Sequence, residues 1–381
     1  MNDFISNSYN DGLARAKSEK NDEFYTQYDD IQKELNAYLE YDADTFRDKT
    51  VLLPCDDPEW SNFTKFFAQN FEFYGMKKLI STSYAAENKK YVYEPQLKLN
   101  LFDDDPNIDE AKEKSHGKIF TLDRSQSGRL DMFHLKWKYL DGDGDFRSEE
   151  VKRLRDEADI IVTNPPFSMF REFLAWILEA DKKFLIIGNV NCITYKEVFP
   201  LIKDNKVWLG TGMGRWISGF AVPDDYELYG TEARINEDGK RIISTNNGLW
   251  LTNLEHGRRH EPMMLMTMRD NLRYSKRKQV RELGYQHYDN YDAIDVPFTE
   301  CIPDDYKGVM GVPITFLDKY CPEQFEIIGM AKRGAGDPAL RTKIYTKEEY
   351  TNYSDLNAGP VIIKNGIPKN TYPRILIKHK I

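Results

Sequence analysis

The hydrophobic positions of this chain fall into short apolar runs that alternate with one-faced helical patterns. The apolar runs predict buried strands at residues 51–53, 78–80, 159–163, 184–187, 207–209 and 249–251. Helical spacing predicts helices at about residues 22–39, at 62–71, at 148–157 and from 170 to 178. Strands that alternate with helices predict an α/β fold with a doubly wound, mostly parallel sheet.

Two stretches interrupt this alternation. Residues 84–138 are polar with a weak pattern, which predicts a hairpin or a surface insertion. Beyond about residue 255 the chain is aromatic, basic and rich in loops, so we predict a domain boundary there. The sequence therefore predicts a larger domain over residues 1–255 and a smaller C-terminal module over residues 256–381.

The most informative motif, Asn164-Pro165-Pro166-Phe167, directly follows the predicted strand at 159–163. In doubly wound sheets, ligands bind beyond the carboxyl ends of the strands. The Asn164 side-chain carbonyl and the Pro165 main-chain carbonyl are two acceptors on a stiff loop, and Phe167 adds a ring. This set suits a planar amine and indicates methyl transfer to a nucleobase amino group. The alternative is an ordinary turn, because Asn-Pro and Pro-Pro are common turn formers.

Charge distribution points to a polyanionic partner although the chain is acidic overall. The 381 residues carry a net charge of −9, which alone disfavours nucleic acid. Between residues 258 and 281, however, cations far outnumber acids; they are Arg258, Arg259, Arg269, Arg273, Lys276, Arg277, Lys278 and Arg281. The segment 364–381 adds further cations and no acid. These patches predict contact with a phosphate backbone, and the alternative for the first patch is a solvated helix face.

Several classes of protein are disfavoured by composition. The cysteines are widely spaced, without Cys-x-x-Cys, so reduced thiols and no zinc site are expected at Cys55, Cys192, Cys301 and Cys321. The acidic turn at 141–145 approaches calcium-loop spacing, but its Gly and terminal Glu do not align, so no metal is predicted. No apolar run reaches the length of a membrane span and no leader pattern is present, which predicts a cytoplasmic protein without membrane contact.

S-Adenosylmethionine, as methyl donor, requires acceptors for its ribose hydroxyls and adenine amine and an apolar slot for the adenine ring. Asp56 and Asp57 follow the first predicted strand and could bind the methionine ammonium or the ribose. Asp145 could accept from the adenine amine while Phe146 packs on the ring. For each acid the alternative is a helix N-cap or a solvated loop.

Beyond these single turns, the order of several stretches resembles the EcoRI-type adenine-specific DNA methyltransferases, a subgroup of the Rossmann-like methyltransferases. The resemblance runs from about residue 20 to the C-terminus, and the matching stretches are 22–28, 55–58, 142–148, 162–168, 189–191, 226–235, 250–254 and 308–317. One departure concerns the first strand: most methyltransferases follow it with a glycine-rich turn, and here Pro54-Cys55-Asp56-Asp57-Pro58 takes that place, as it does in this subgroup.

The resemblance implies roles for individual residues. It implies that the motif Asn164, Pro165, Pro166 and Phe167 is catalytic and holds a flipped adenine. It also implies cofactor contacts: Phe24, Tyr25 and Thr26 at the methionine end, Asp145 and Phe146 at the adenine, and Asp56 and Asp57 at the remainder. A second aromatic residue, Trp250 or Phe220, could cover the other face of the base, with ordinary core packing as the alternative for both.

The resulting hypothesis is transfer of a methyl group from S-adenosylmethionine to adenine N6 in double-stranded DNA, by a base-flipping enzyme. The module after residue 255 would recognise the target, with phosphate contacts from Arg258, Arg259, Arg273, Lys276, Arg277 and Lys278. A monomer suffices to methylate one strand at a time, and a restriction endonuclease for the same site could exist without being bound. A short palindrome such as GAATTC is a candidate target by resemblance.

Other functions stay open at this point. The same motif also suits RNA amines and protein glutamine, so an N-methyltransferase for either substrate is one alternative. A non-catalytic nucleic-acid-binding protein, in which the motif is structural, is another. The sequence alone leaves open the DNA site, the biological role and the existence of a partner nuclease.

Overall fold

A computed structural model describes nine segments of the chain, and residue Phe24 lies outside them. The segments are 25–85, 109–126, 137–213, 217–222, 233–235, 239, 241–243, 247–333 and 340–380. None of the described helices combines the length and the apolar character that crossing a bilayer requires.

The described elements alternate between strands and helices in the first two thirds of the chain. The strands are β1 (Tyr25–Thr26), β2 (Thr50–Leu53), β3 (Lys78–Thr82), β4 (Lys118–Asp123), β5 (Trp137–Tyr139), β6 (Ile160–Thr163), β7 (Lys183–Asn189), β8 (Trp208–Met213), β9 (Phe220–Val222), β10 (Ala233–Ile235), β11 (Arg241–Ile243), β12 (Gly248–Thr252), β13 (Ile294–Asp295), β14 (Met310–Val312), β15 (Phe325–Ala331), β16 (Val361–Lys364), β17 (Ile367–Asn370) and β18 (Arg374–His379). The helices are α1 (Tyr28–Tyr41), α2 (Asn62–Gln69), α3 (Glu110–Ser115), α4 (Glu149–Glu157), α5 (Phe170–Glu179), α6 (Phe199–Lys203), α7 (Met268–Tyr274), α8 (Lys278–Leu283) and α9 (Tyr353–Leu356).

A sheet of eight strands forms the centre of the larger unit, in the order β5-β4-β3-β2-β6-β7-β12-β8. The four middle strands are parallel: β2 pairs with β3 on one side and β6 on the other, and β6 pairs with β7. After β2 the chain continues to β3 on one side of the sheet, and after β6 it continues to β7 on the opposite side. The boundary between β2 and β6 is the switch point at which sheets of this class bind ligands.

Helices cover both faces of this sheet. One core cluster joins Val51, Leu53 and Val162 to the buried aromatic face of α2, which carries Phe63, Phe66 and Phe67. Because side chains alternate across a strand, the neighbouring residues Leu52 and Ile161 face the opposite side, and both are completely buried. The predicted α/β class with a Rossmann-like methyltransferase sheet is confirmed.

The region predicted as a hairpin or surface insertion does contain an antiparallel strand pair, β4 with β5, and this pair belongs to the central sheet. Its described strands β4 and β5 extend the sheet beyond β3 with antiparallel pairing. In β4 only one face is buried, as Phe120 illustrates, so its pattern lacks the continuous apolar run of a middle strand. β12 is also antiparallel, and it pairs with β7 on the other side. The sheet is thus parallel at its centre and antiparallel at these outer pairs.

Two compact units divide the chain. The first combines Met1–Val190 with Leu209–His256, and the second combines Asn191–Trp208 with Gly257–Ile381. The division after His256 lies beside the predicted boundary, but residues 191–208, predicted in the first domain, belong to the second unit. The second unit is built on a four-stranded sheet in the order β13-β14-β18-β15. Its role in target recognition stays a prediction.

Candidate active site

The loop Asn164-Pro165-Pro166-Phe167 leaves β6 at the carboxyl edge of the parallel strands, next to β2. Pro165 is buried, while Asn164 and Phe167 are half-buried. A short 3₁₀ turn, Phe167–Met169, then leads into α5. The ring of Phe167 packs against the core and meets the ring of Phe220 edge-on, with 6.1 Å between the ring centroids.

Asp56 connects the loop after β2 to the end of β6. Its side chain is 6% exposed, and its two carboxylate oxygens accept hydrogen bonds from Ser61 Oγ and Thr163 Oγ1, each at 2.7 Å. The Ser61 hydroxyl in turn caps α2 by accepting from the backbone N–H groups of Phe63 and Thr64. Asp56 therefore links the loop after β2 to Thr163, the last residue of β6, directly before the Asn164 motif.

Asp57 faces a different environment from its neighbour. It is half-buried, and one carboxylate oxygen accepts from the backbone N–H of Glu59 at 2.9 Å. Its other carboxylate oxygen accepts no hydrogen bond from the described residues. Of the two adjacent acids, Asp57 thus keeps an oxygen for a ligand, whereas both oxygens of Asp56 have partners within the fold.

Strand β1 brings Thr26 to the same edge. Thr26 pairs with Phe220 of β9, and its carbonyl accepts from the Asn62 side-chain amide at 2.8 Å. Tyr25 pairs with Ala221. The contacts close a ring that runs from Thr26 through the start of α2, Asp56, the Asn164 loop and Phe220 back to Thr26. Thr26 is 3% exposed, and its hydroxyl makes no hydrogen bond to the described residues.

The turn at 142–146 lies against the end of β3. Gly144 has a φ of +78°, and a Cβ there would come within 2.1 Å of the Ser83 carbonyl oxygen, so only glycine fits. Asp145 carries a bidentate ion pair with Arg147, whose Nε and Nη2 lie 2.9 and 2.6 Å from the carboxylate oxygens. This hydrogen bonding raises the pKa of Arg147.

Phe146, which was expected against an adenine ring, packs inside the fold. It is 6% exposed and lies edge-on to Phe173 and Trp176, with centroid distances of 5.1 and 5.6 Å. The ring therefore anchors the turn to α5, while Asp145 beside it is half-buried, and the adenine contact of Phe146 stays a prediction.

The two aromatic candidates for the second face of the base are both core residues. Trp250 is 1% exposed and packs edge-on to Phe63 at 6.0 Å. Phe220 is completely buried, but its ring contacts Phe167. Phe220 therefore supports the motif ring from its edge.

A family model described as "Adenine-specific methyltransferase EcoRI" matches residues 12–380. The chain belongs to this family. Type II methyltransferase M.EcoRI of Escherichia coli is 49% identical to it over 86% of this chain and 91% of the relative. Type II methyltransferase M.MgeORF184P of Mycoplasma genitalium is 34% identical over 96% of this chain and 97% of the relative. M.MpnI of Mycoplasma pneumoniae is 31% identical over the same shares. No solved structure gives a significant match.

The resemblance found in the sequence is thus confirmed, and the chain is a site-specific adenine DNA methyltransferase. The enzyme requires a methyl donor and acts on DNA. Neither a non-catalytic role nor an RNA or protein substrate receives support from these relatives. The roles predicted for individual residues remain predictions.

Two buried acids tie α1 to β8 and to the residues just before β9, and the sequence analysis did not identify them. Asp30 accepts from both the backbone N–H and the hydroxyl of Ser218, just before β9. Glu34 accepts from Thr211, Gly212 and Tyr38. Burial raises the pKa of both carboxyl groups, although these hydrogen bonds oppose it. Their signal was visible: both acids interrupt the apolar face of α1 at i, i+4 spacing.

We expect Glu34→Gln to lower the free energy of unfolding by about 2 kcal/mol, because one buried donor loses its acceptor. Glu34 Oε1 accepts from the Thr211 N–H and Oε2 from the Gly212 N–H, so either orientation of the amide sets its NH₂ against a backbone donor. Thermal unfolding checks this, with Glu40→Gln, exposed on the same helix, as the control. Equal melting temperatures for both variants would contradict it.

The cations of residues 258–281 fall into two groups in the second unit. Arg259 is 6% exposed and lies over the Trp208 ring at 3.6 Å, and Arg258 pairs with Asp318 at 2.9 Å. Arg277 pairs with Glu300, and Lys278 lies 3.5 Å from Glu282. The exposed cations without an acidic partner among the described residues are Arg269, Arg273, Lys276 and Arg281, and the last of these donates to the Ser275 main-chain carbonyl. The burial of Arg259 against Trp208 indicates a structural role, and its DNA contact stays a prediction.

Proposed function

We propose that the Asn164 side-chain carbonyl and the Pro165 main-chain carbonyl accept the two N6 hydrogens of a flipped adenine, while Phe167 stacks on its ring. The observation that carries this proposal is the Thr163–Asp56 hydrogen bond at 2.7 Å, which ties the motif to the switch point between β2 and β6. Phe220 behind Phe167 restrains the stacking ring from its edge. The base leaves the duplex to reach such a loop.

We further propose that S-adenosylmethionine is the methyl donor and binds along the same edge. The residues present fit its groups: Thr26 offers a buried hydroxyl, and Asp57 offers a free carboxylate oxygen for an ammonium or hydroxyl group. The carboxylate of Asp145, which Arg147 holds in the turn at 142–146, is the proposed acceptor for the adenine amine. When bound, this cofactor supplies an electrophilic methyl group on its sulfonium. Tyr25 stays a proposed neighbour, and Asp56 acts by shaping the loop.

The motif's own contribution is positioning. Adenine N6 is a weak nucleophile because its lone pair is delocalised into the ring. Two acceptors that take both of its hydrogens favour a pyramidal nitrogen with an available lone pair. Neither carbonyl titrates near neutral pH, so the motif orients the amine and does not deprotonate it. Orientation of this kind can lower a barrier by about 7–11 kcal/mol.

We propose that the second unit holds the duplex through Arg273, Lys276 and Arg277, with Arg258 and Lys278 in support. Arg273 lies in α7, Lys278 begins α8, and Lys276 and Arg277 lie in the short connection between the two helices. Phosphate contacts of this kind give affinity that falls steeply with salt. A flat salt response would exclude them.

Arg273→Ala and Arg259→Ala should separate binding from folding. We expect Arg273→Ala to weaken DNA binding several-fold with the free energy of unfolding unchanged within about 0.5 kcal/mol, as for an exposed substitution. Arg259→Ala should lower that free energy by about 2 kcal/mol, since it removes a desolvated cation–π contact. Denaturant unfolding and DNA titration check both; a stable Arg259→Ala protein would contradict its structural assignment.

Methylation-sensitive sequencing of DNA from cells that express the chain tests the proposed reaction most directly. We expect N6-methyladenine at one short sequence, and none in cells that express Asn164→Ala. A labelled-cofactor assay with DNA, RNA and protein acceptors identifies which class of substrate receives the methyl group. Label in RNA or protein, and none in DNA, would overturn the proposal.

We propose a cytoplasmic monomer that methylates one strand at a time without a bound restriction endonuclease. Its relatives are named Type II methyltransferases, which supports a restriction endonuclease that acts on the same site. Ultracentrifugation of the enzyme with and without DNA measures the oligomeric state.

A further inference from the structure

The hairpin of β16 and β17 stands apart from the main sheet of the second unit. These two strands pair only with each other, while β13, β14, β15 and β18 form the four-stranded sheet. The turn between them is Asn365-Gly366, with φ values of +52° and +76°. Both residues are left-handed, as a tight two-residue hairpin turn requires.

The base of this hairpin is firmly anchored. Asn290 is completely buried; its side-chain oxygen accepts from the Val361 N–H at 2.8 Å and its amide donates to the Gly359 carbonyl at 3.0 Å. The Val361 carbonyl accepts from the Asp289 N–H at 2.8 Å. Isolated two-stranded hairpins are marginally stable in water, so these contacts give the hairpin a fixed direction.

The outer half of the hairpin is exposed and basic. The register sets Lys364 opposite Ile367, and Lys369 follows two residues later on the same face. Ile367 is 59% exposed and both lysines are exposed. Neither lysine has an acidic partner among the described residues. The same face is buried only at the base, where Ile362 joins a core cluster.

We propose that this hairpin contacts the DNA duplex, with Lys364 and Lys369 binding phosphates and Ile367 lying between them against the groove wall. The proposal rests on the DNA methyltransferase activity. It is carried by charge complementarity: the chain is acidic overall, but residues 364–381 contain no acid. A two-stranded ribbon fits the major groove, which is about 12 Å wide. The two lysines are diagonal neighbours, about 7–8 Å apart at their backbones, so both reach one strand.

The test is a double variant, Lys364→Ala with Lys369→Ala, in the full-length enzyme. Its binding to a fluorescein-labelled mixed-sequence duplex is measured by anisotropy from about 50 to 200 mM salt. We expect the slope of log K against log salt to become shallower by about 1.8, since each phosphate contact contributes about 0.9. The dissociation constant at low salt should rise roughly tenfold.

A matched control is Lys49→Ala with Lys77→Ala. These lysines are also exposed, and they precede β2 and β3 at the amino ends of the strands, away from the carboxyl edge. The control should keep the wild-type slope. An unchanged slope in the hairpin variant, or equal losses in both variants, overturns the hairpin proposal while methylation of DNA by the wild type stands. Absence of DNA methylation by the wild type would instead contradict the enzyme assignment.

Discussion

Asn164→Ala is expected to reduce methylation by about 10²–10³-fold while S-adenosylmethionine still binds. The substitution removes one of the two acceptors that orient the adenine amine, and loss of one preorganised group of this kind costs about 10²–10³ in rate. Asn164 is half-buried at the end of β6, so truncation leaves the sheet intact. Single-turnover methylation and calorimetric titration of the cofactor measure the two effects separately.

Asn164→Asp is the informative companion, because it keeps an oxygen at the same place. We expect it to retain more activity than Asn164→Ala, since a carboxylate oxygen also accepts from an amine. Near-normal turnover of the alanine variant, or loss of cofactor binding in a folded variant, would contradict the assignment of Asn164 to the base.

Asp56→Ala should cause the largest loss of stability among the site variants, about 3 kcal/mol, together with loss of cofactor binding. It would leave the hydroxyl groups of Ser61 and Thr163 without their acceptor in a buried place, and each such loss costs about 1–3 kcal/mol. The Ser61 cap of α2 and the approach of β6 to the loop after β2 both depend on this carboxylate. Chemical denaturation and cofactor titration measure the result.

Asp57→Ala separates structure from binding at the adjacent position. Its carboxylate accepts only one backbone hydrogen bond from the described residues, so we expect stability within about 1 kcal/mol of the wild type. Cofactor binding should weaken, because an acceptor for the ligand is lost. If Asp56→Ala were as stable as Asp57→Ala, the bridging role of Asp56 would be wrong.

The position of the Asn164 loop was predictable because its signals are local. An apolar run followed by Asn-Pro-Pro predicts a strand that ends at Thr163, and β6 ends there. The one-faced spacing after Phe167 predicts a helix, and α5 buries Phe173, Leu174 and Ile177. Local periodicity was sufficient for these elements because each buries a continuous apolar surface.

The direction in which each side chain points was harder to predict from the sequence. Asp56 and Asp57 look equivalent in the sequence, yet one bridges two strands inside the fold and the other keeps an oxygen at its edge. Phe146 and Arg259 likewise have the right residue types for a ligand, but Phe146 packs edge-on to Phe173 and Arg259 lies over the Trp208 ring. Which partner a group meets depends on residues far away in the chain.

Other misses have the same origin. The strands β4 and β5 lie at one flank of the sheet, where half-buried residues carry a weak pattern. Residues 191–208 follow a strand of the first unit but pack with the second, and no local feature marks that transfer. The buried acids of α1 are polar residues on a core face. Their role as hydrogen-bond acceptors becomes visible only in the folded chain, where Glu34 meets Thr211 of β8 and Asp30 meets Ser218.

By itself the sequence determined the fold class, the family, and the position of the Asn164-Pro165-Pro166-Phe167 loop, because these follow from short-range periodicity and from motifs in a fixed order. Only the tertiary structure decided which acid has both carboxylate oxygens hydrogen-bonded inside the fold, which acid does not, and which cations remain exposed. The physical reason is that burial and hydrogen bonding are set by contacts between distant segments, such as Thr163 with Asp56 and Phe167 with Phe220.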